Sequence, residues 1–212
     1  MKFWKLTLAF CVALCCISIF FLEDDSMAIE EVGYKVLEKQ GNFELRQYEP
    51  HIVAEIFVEG EFDSASNEGF RSLFNYISGN NRKKESIPMT APVTQEARSE
   101  KITMTAPVNQ EKLGGKWRIT FLMPSKFNIG TLPEPLDPRV KLTEIPGRLL
   151  AALRYSGTWS KRRYDEKEAQ LQVKILEHGL NPIGEPIFAR YNSPFTLWFL
   201  RRNEVLIPVQ KN

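Results

Sequence analysis

Two stretches of the chain share one order of features: a strand-like run, a glycine, an amphipathic segment with helical periodicity and a second glycine. Gly60 and Gly79 bracket the first amphipathic segment, and Gly157 and Gly179 bracket the second. This repeat predicts two equivalent units, each with strands around one helix. The first helix has apolar residues at the i, i+3, i+4 and i+7 spacing, namely Phe70, Leu73, Phe74 and Ile77.

Alternating apolar runs bounded by turn residues flank both helices and indicate strands. Asp63 or Ser64 is expected to cap the first helix, and Thr158 or Ser160 the second. A turn is expected at 201–204, and a proline-rich connector at 124–138 joins the two halves. The predicted fold is α+β, a pseudo-twofold repeat that forms a distorted antiparallel β-barrel flanked by two helices. The predicted strands are 34–38, 43–48, 51–58, 116–122, 148–155, 187–191, 195–200 and 205–209.

The pentapeptide Met-Thr-Ala-Pro-Val occurs twice, at 89–93 and at 104–108. An extended backbone would place Met, Ala and Val of each copy on one face, so both copies are predicted to be strands. Their prolines lack the N–H that a central strand uses, which favours an edge or a strand end. Two interpretations of Met89 and Met104 stay open. They pack between neighbouring strands, or they line a ligand cavity.

The first 28 residues have the pattern of a targeting segment. Two lysines precede an uncharged, mostly apolar run at 6–22, and three acidic residues follow it. This pattern is typical of an export signal, either cleaved after Ala28 or retained as a single-span anchor. The chain is therefore divided into a signal peptide or membrane anchor at 1–28 and a domain at 29–212. The domain is expected outside the cytoplasm, in the periplasm or an equivalent compartment, soluble or held at the membrane.

Composition excludes several function classes for the domain. The three cysteines all lie inside the apolar run, so residues 29–212 contain no thiol nucleophile and no disulfide. A formal net charge of +2 with only short basic clusters argues against a nucleic-acid partner. The two histidines are far apart, and no Ser-centred motif or metal-ligand spacing is present, so the sequence predicts a non-enzyme.

Seven short motifs follow one another in order along nearly the whole domain. They begin at Tyr48, Phe74, Ile87, Met123, Tyr155, Tyr191 and Arg202. Together they resemble the SOUL haem-binding protein family. The resemblance implies two βαβ-type repeats in a distorted barrel, related to small-molecule-binding domains of bacterial multidrug regulators. It also implies reversible, non-covalent binding of haem or another tetrapyrrole in a hydrophobic cleft.

The resemblance also implies positions for the site. Phe70 and Phe74 match pocket-lining positions on the first helix, and Pro194, Phe195 and Trp198 match the opposite wall. Haem is a flat, mostly apolar disc with two carboxylates, so it needs an apolar slot with cations at its rim. Met89 and Met104 are further cofactor-binding candidates. The candidate cations are Arg71, Lys83, Lys84, Arg201 and Arg202.

The axial ligand of the iron is less well defined by the resemblance. Some family members have a histidine directly before the tyrosine that is Tyr48 here, whereas this chain has Gln47. His51 is the candidate metal ligand in its place, and His178 is expected to cap the second helix. Haem held by hydrophobic contact and open to solvent is the preferred mode of binding.

Two alternatives from other function classes stay open. One is a small-molecule hydrolase or modifying enzyme on the same barrel, with Glu55, Glu59 or Glu144 as its acid or base. A strongly raised carboxylate pKa in the cleft would indicate this enzyme. The other is a ligand-free envelope interaction protein, which predicts a packed barrel without a cleft.

Overall fold

The computed structural model describes residues 29–83 and 99–211. The leader, the first Met-Thr-Ala-Pro-Val copy with Met89, and Lys84 lie outside these residues. No helix in the described ranges is long and apolar enough to cross a bilayer. Two helices are present, α1 (Phe62–Ile77) and α2 (Lys161–Glu177), with a 3-10 turn at Trp198–Leu200. The strands are β1 (Tyr34–Gln40), β2 (Phe43–Tyr48), β3 (His51–Val58), β4 (Asn81–Arg82), β5 (Val108–Leu113), β6 (Lys116–Leu122), β7 (Glu134–Pro135), β8 (Lys141–Ile145), β9 (Arg148–Tyr155), β10 (Leu180–Pro182), β11 (Ile187–Arg190) and β12 (Asn203–Lys211).

The main sheet is antiparallel and has the order β1-β2-β9-β12-β11-β5-β6-β3-β8, with β10 also paired to β12. Apart from β1 and β10, this order is symmetric about the β5–β11 pair, so that β6 matches β12, β3 matches β9 and β8 matches β2. The two matched strands β3 and β9 even have the same burial pattern over eight residues. The predicted pseudo-twofold α+β fold is confirmed. Among the described strands no pairing joins β1 to β8, so the curled sheet forms an open half-barrel.

Side chains alternate between two faces of this sheet. On β6, Ile119 and Phe121 point to the face covered by the helices, which we call the outer face, while Arg118 and Thr120 point to the inner face. The outer face holds the larger apolar core, which α1 joins through Leu73, Tyr76 and other buried residues. The inner face holds a smaller apolar cluster, made by Tyr48, Ala106, Leu150, Ala152, Ile187, Ala189, Tyr191 and Leu206.

The ends of the helices agree in part with the sequence. Ser160 caps α2 as predicted, since its side chain accepts a hydrogen bond from the N–H of Arg163. The prediction for α1 was wrong, because the helix begins after Glu61 without a side-chain cap. His178 occupies the C-cap of α2 as expected, and its ring stacks on Phe43 at 4.4 Å. This stack holds the β1–β2 hairpin against the end of the helix.

Three local predictions were wrong. The second Met-Thr-Ala-Pro-Val copy is not a strand, and β5 begins only at its last residue, Val108. Its polar groups bond to distant segments instead, since Thr105 donates to the carbonyl of Leu122 and the Ala106 N–H donates to the carbonyl of Glu30. Residues 195–200 form an exposed loop that ends in the 3-10 turn, not a strand. The expected turn at 201–204 already contains the start of β12 at Asn203.

Candidate functional site

One stripe of α1 carries aromatic side chains that the core only partly covers. Ser66, Phe70 and Phe74 lie at i, i+4 and i+8, so the stripe rises about 12 Å along the helix. The rings of Phe70 and Phe74 stack at 5.9 Å with an interplanar angle of 10°. Phe70 also packs edge-on against Phe121 of β6 at 5.3 Å, whereas Phe74 stays 44% exposed. The stripe therefore presents a flat aromatic surface supported from below by the core.

A loop at 192–202, between β11 and β12, carries the second aromatic surface. Trp198 and Phe199 pack edge to face at 5.5 Å, and Phe195 is 96% exposed. Arg201 fixes the loop from inside, because its Nε donates to the carbonyl of Thr196 at 2.8 Å and its Nη2 to that of Pro194 at 2.7 Å. The backbone of the loop is thus held in one shape although its apolar side chains are exposed.

Arg190, the last residue of β11, connects the α1 stripe to the loop. Its Nη1 donates to the hydroxyl of Ser66 at 2.7 Å, and its Nη2 donates to Gln110 at 3.3 Å. Its guanidinium lies 5.2 Å from the centre of the Trp159 ring, and the guanidinium of Arg201 lies 4.2 Å from the same ring. We call this assembly, the α1 stripe with Arg190, Trp159 and the loop at 192–202, the α1–loop site.

The charge of Arg190 is poorly compensated. No carboxylate of the described residues lies within ion-pair distance of it, and its Nε is buried without a hydrogen-bond partner there. Burial lowers the pKa of Arg190 to about 10, although the charge of Asp63 acts in the opposite direction. A bound carboxylate would supply the missing charge and an acceptor for the Nε–H. The α1–loop site thus combines an aromatic surface with a cation suited to an anionic group.

The inner face of the sheet has its own charged cluster, which is already internally paired. Glu204 is completely buried and accepts two hydrogen bonds from Arg46, at 2.7 and 3.1 Å. Tyr191 donates to the same carboxylate at 2.8 Å and Arg202 at 3.1 Å. Burial acts to raise the pKa of Glu204, but the hydrogen bonds and charge of Arg46 outweigh it and hold the pKa below its usual value. These groups satisfy one another and serve the fold.

A second inner-face group surrounds Arg118, which bonds to both Glu55 and Glu111 at 2.5 Å. His51 lies beside this group, with its Nδ1 2.9 Å from the carbonyl of Glu49. Burial lowers the pKa of His51, which favours its neutral form. His51 therefore lies on the face of the sheet opposite to Phe70 and Phe74, and the structure does not bring the three residues together. In the described residues no group of three or more His, Cys, Asp or Glu side chains could hold a metal ion.

Two cavities of the described residues lie away from the α1–loop site. The cavity beside His51 measures about 10 Å³, which is enough for one water molecule. A larger one of about 270 Å³ lies between the starts of α1 and α2 and is lined by Phe62, Trp117 and two lysines, among others. Neither of these two contains residues of the α1 stripe or of the loop.

The remaining sequence-predicted site residues have various positions. Arg71 is exposed on α1, one residue from Phe70, and Lys83 is exposed after β4. Met104 is 39% exposed in the irregular stretch before β5. It lines neither of the two cavities described above. Arg202 forms an ion pair with Glu31 at 2.9 Å and stacks over Tyr191 at 3.8 Å, which ties it to the N-terminal stretch.

Sequence reasoning missed Arg190 and Trp159. The sequence did contain a signal for Arg190. It lies two residues after Phe188 in a predicted strand, so both side chains point to the same face of the sheet, and a charged residue on that face would point toward the helices. For Trp159, which precedes α2, no local signal distinguishes a site residue from a core residue.

The chain is similar to a known family and to several named proteins. A family model described as "SOUL heme-binding protein" matches residues 29–208. The human protein named heme-binding protein 2 is 29% identical over 194 residues, covering 88% of this chain and 89% of its own length. Heme-binding protein 1 of Xenopus laevis is 27% identical over 179 residues, covering 78% of this chain and 87% of its own length.

Solved structures share the fold at much lower sequence identity. The EcmrR C-terminal domain superposes with a TM-score of 0.58 at 12% identity and covers 84% of this chain and 99% of its own. A hydrolase from Listeria innocua superposes with a TM-score of 0.52 at 11% identity, covering 82% of this chain and 94% of its own. At such identities the likeness concerns the fold alone.

Proposed function

Because the chain belongs to the SOUL heme-binding protein family, we propose that its domain binds haem or another tetrapyrrole reversibly and without a covalent bond at the α1–loop site. The observation that carries this proposal is the combination of exposed aromatic rings with the cation Arg190, which has no carboxylate partner among the described residues. Stacking on Phe70 and Phe74 would cover one face of the disc, and the loop at 192–202 would cover the other. Arg190 would bind a propionate.

The proposal is binding and not catalysis. Glu55 is held by Arg118 and by the hydroxyl of Thr143 at 2.6 Å, and hydrogen bonding by Lys116 lowers the pKa of Glu59. Burial raises the pKa of Glu168, but this residue is on α2 and its hydrogen-bond partner is Gln172 of the same helix. None of these three carboxylates belongs to the α1–loop site, so none of them is placed to act as a general acid on a ligand there.

The proposal includes export and excludes a nucleic-acid partner. The lysines, apolar run and small residues of the first 28 positions support export as a carrier, buffer or sensor outside the cytoplasm. The basic cluster at the start of α2 is compensated, since Lys161 pairs with Asp165 and Arg162 with Glu166. These two pairs reduce the positive charge that the start of α2 could offer to the phosphate backbone of a nucleic acid.

A test of the site compares two half-exposed phenylalanines in a chain of residues 29–212. This chain contains every described strand and helix and the whole family match. Phe74→Ala should raise the dissociation constant of haem about tenfold, because the ring loses about 1.4 kcal/mol of apolar contact with the ligand. The measurement is a haem titration followed by absorbance.

Phe57 on β3 provides the matched control, since it is 42% exposed and lies outside the α1–loop site. Phe57→Ala should leave the affinity unchanged, and His51→Ala should leave the absorbance spectrum unchanged. Equal losses in Phe74→Ala and Phe57→Ala, or titration without saturation, would contradict the proposed site.

A second test examines the role of Arg190 through the carboxylates of the ligand. Arg190→Gln should weaken the binding of haem about tenfold or more, because a charge-assisted hydrogen bond contributes about 1.5–3 kcal/mol. The same substitution should hardly affect haem dimethyl ester, whose carboxylates are blocked. Arg190→Lys retains the charge and should recover part of the affinity for free haem. Equal losses for haem and its ester would place the propionates elsewhere.

A further inference from the structure

The loop at 192–202 exposes a run of large apolar side chains. Five large apolar side chains within six consecutive residues are each more than half exposed. Soluble monomers rarely leave so many together, and such patches mark interaction sites. We call them the apolar loop residues: Phe195, Leu197, Trp198, Phe199 and Leu200.

These side chains are held outward by the structure of the loop. Besides the two hydrogen bonds from Arg201, the N–H of Arg202 donates to the side chain of Asn192 at 2.6 Å, which closes the base of the loop. The 3-10 turn at Trp198–Leu200 contains no buried residue. Since the backbone is fixed, the loop pays little conformational entropy when its side chains enter an apolar environment.

The N-terminal stretch reaches the base of the same loop. Glu31 accepts hydrogen bonds from Arg202 at 2.9 and 3.0 Å, which joins the start of the domain to the end of the loop. Only residues 23–28 separate the start of the domain at Ile29 from the apolar run at 6–22. Six extended residues span at most about 21 Å. A bilayer that holds the apolar run is therefore within reach of the loop.

We propose that the apolar loop residues insert into the interfacial region of a lipid bilayer. Trp and Phe favour this region, where an aromatic ring meets both acyl chains and water. The alternative, a protein partner, fits less well, because a stable protein interface uses about 20–30 residues on each side and the apolar loop residues span only six positions. The proposal does not rest on haem binding, and the site at α1 would then open beside the membrane surface.

The test uses a chain of residues 29–212, without the apolar run and without haem, so that any lipid binding comes from the domain. The probe is a set of phosphatidylcholine vesicles with and without phosphatidylglycerol, in a co-sedimentation assay. We expect binding to both compositions that persists in 0.5 M salt, since apolar insertion is not screened as charge contacts are. The double variant Leu197→Ser/Phe199→Ser should lower the partition coefficient about tenfold or more.

Leu176→Ser is the matched control, because Leu176 is 69% exposed on α2 and outside the loop. It should bind vesicles as the unchanged chain does. Brominated lipids should quench the fluorescence of Trp198, and the quenching should vanish in Trp198→Phe, which retains Trp117 and Trp159. A haem titration of the unchanged chain without lipid separates a failure of this proposal from a failure of the haem proposal.

Three outcomes would overturn insertion. The unchanged chain fails to bind either vesicle, or salt abolishes its binding, or the loop variant binds as well as the Leu176→Ser control. A concentration-dependent dimer that the loop variant loses, without vesicle binding, would identify a second copy of the chain as the occupant of the loop.

Discussion

Replacing Glu204 by glutamine should lower the free energy of unfolding by about 3–5 kcal/mol, because the substitution removes the buried counter-charge of Arg46 and leaves that guanidinium only the partly exposed Glu44. Arg46 is only 2% exposed and directs both terminal nitrogens to Glu204, and Arg202 bonds to the same carboxylate. The loss is a large part of the 5–15 kcal/mol that stabilises an ordinary domain. Urea unfolding at neutral pH measures it.

A surface pair of the same chemistry is the control. Glu166 bonds to Arg162 on the exposed side of α2, four residues away. Glu166→Gln should cost no more than about 0.5 kcal/mol, since exposed pairs contribute little. A similar small loss in both variants would show that the Glu204 cluster is not the internal support that its burial indicates.

The same carboxylate should make stability depend on pH. In the folded state the pKa of Glu204 is lower than its usual value of 4.5. Its contribution is therefore fully present above about pH 5 and is lost as the pH falls through the folded pKa. Across that range Glu204→Gln should lose less stability than the unchanged chain, and identical losses would mean that other carboxylates dominate.

Replacing Gly69 by alanine should destabilise the protein by about 1–3 kcal/mol, although alanine is the better helix former by about 1 kcal/mol. Gly69 is the point where α1 lies closest to β6. A Cβ there would lie 2.7 Å from Cγ1 and 2.9 Å from Cβ of Ile119. Neither atom is the end of a flexible chain, so the helix would have to move away from the sheet. Thermal and urea unfolding measure the change.

Asn67, two residues earlier and exposed, separates helix propensity from packing. Asn67→Ala should stabilise the protein by about 0.5 kcal/mol, because alanine is the better helix former and meets no neighbour there. If Gly69→Ala also stabilised the protein, α1 would not be packed on β6 as closely as the structure shows.

The sequence was sufficient for the parts of the fold that local periodicity specifies. Helical spacing and the flanking glycines located both helices, and Gly79 and Gly179 do adopt positive φ angles, 115° and 64°, after them. Period-2 alternation located β2, β3, β6 and β9. The short strands β4, β7 and β10 were not predicted, because two or three residues contain too little pattern to indicate a strand.

The errors occurred where burial or strand pairing depends on residues that are remote in sequence. Residues 195–200 were predicted to form a strand, yet they lie in an exposed loop, because β11 ends at Arg190 and pairs with β12 from Asn203. Glu204 was placed in a turn, yet it lies in β12 and is completely buried. Composition alone does not distinguish a buried apolar run from an exposed one.

The candidate site, too, could be predicted from the sequence only in part. Phe70 and Phe74 could be named from the helix pattern and the family resemblance, and the structure places them side by side. Arg190 could not be recognised as a site residue from the sequence. Its neighbours Ser66, Gln110 and Trp159 come from three distant segments, and none of the three is a carboxylate.

The sequence by itself determined the two-unit α+β architecture, the helices and most strands, since these follow from spacing along the chain. Only the tertiary structure decided which aromatic residues remain exposed, which charges are paired and on which face of the sheet His51 lies. The physical reason is that burial and ion pairing depend on distances between residues remote in sequence, such as the 158 positions between Arg46 and Glu204.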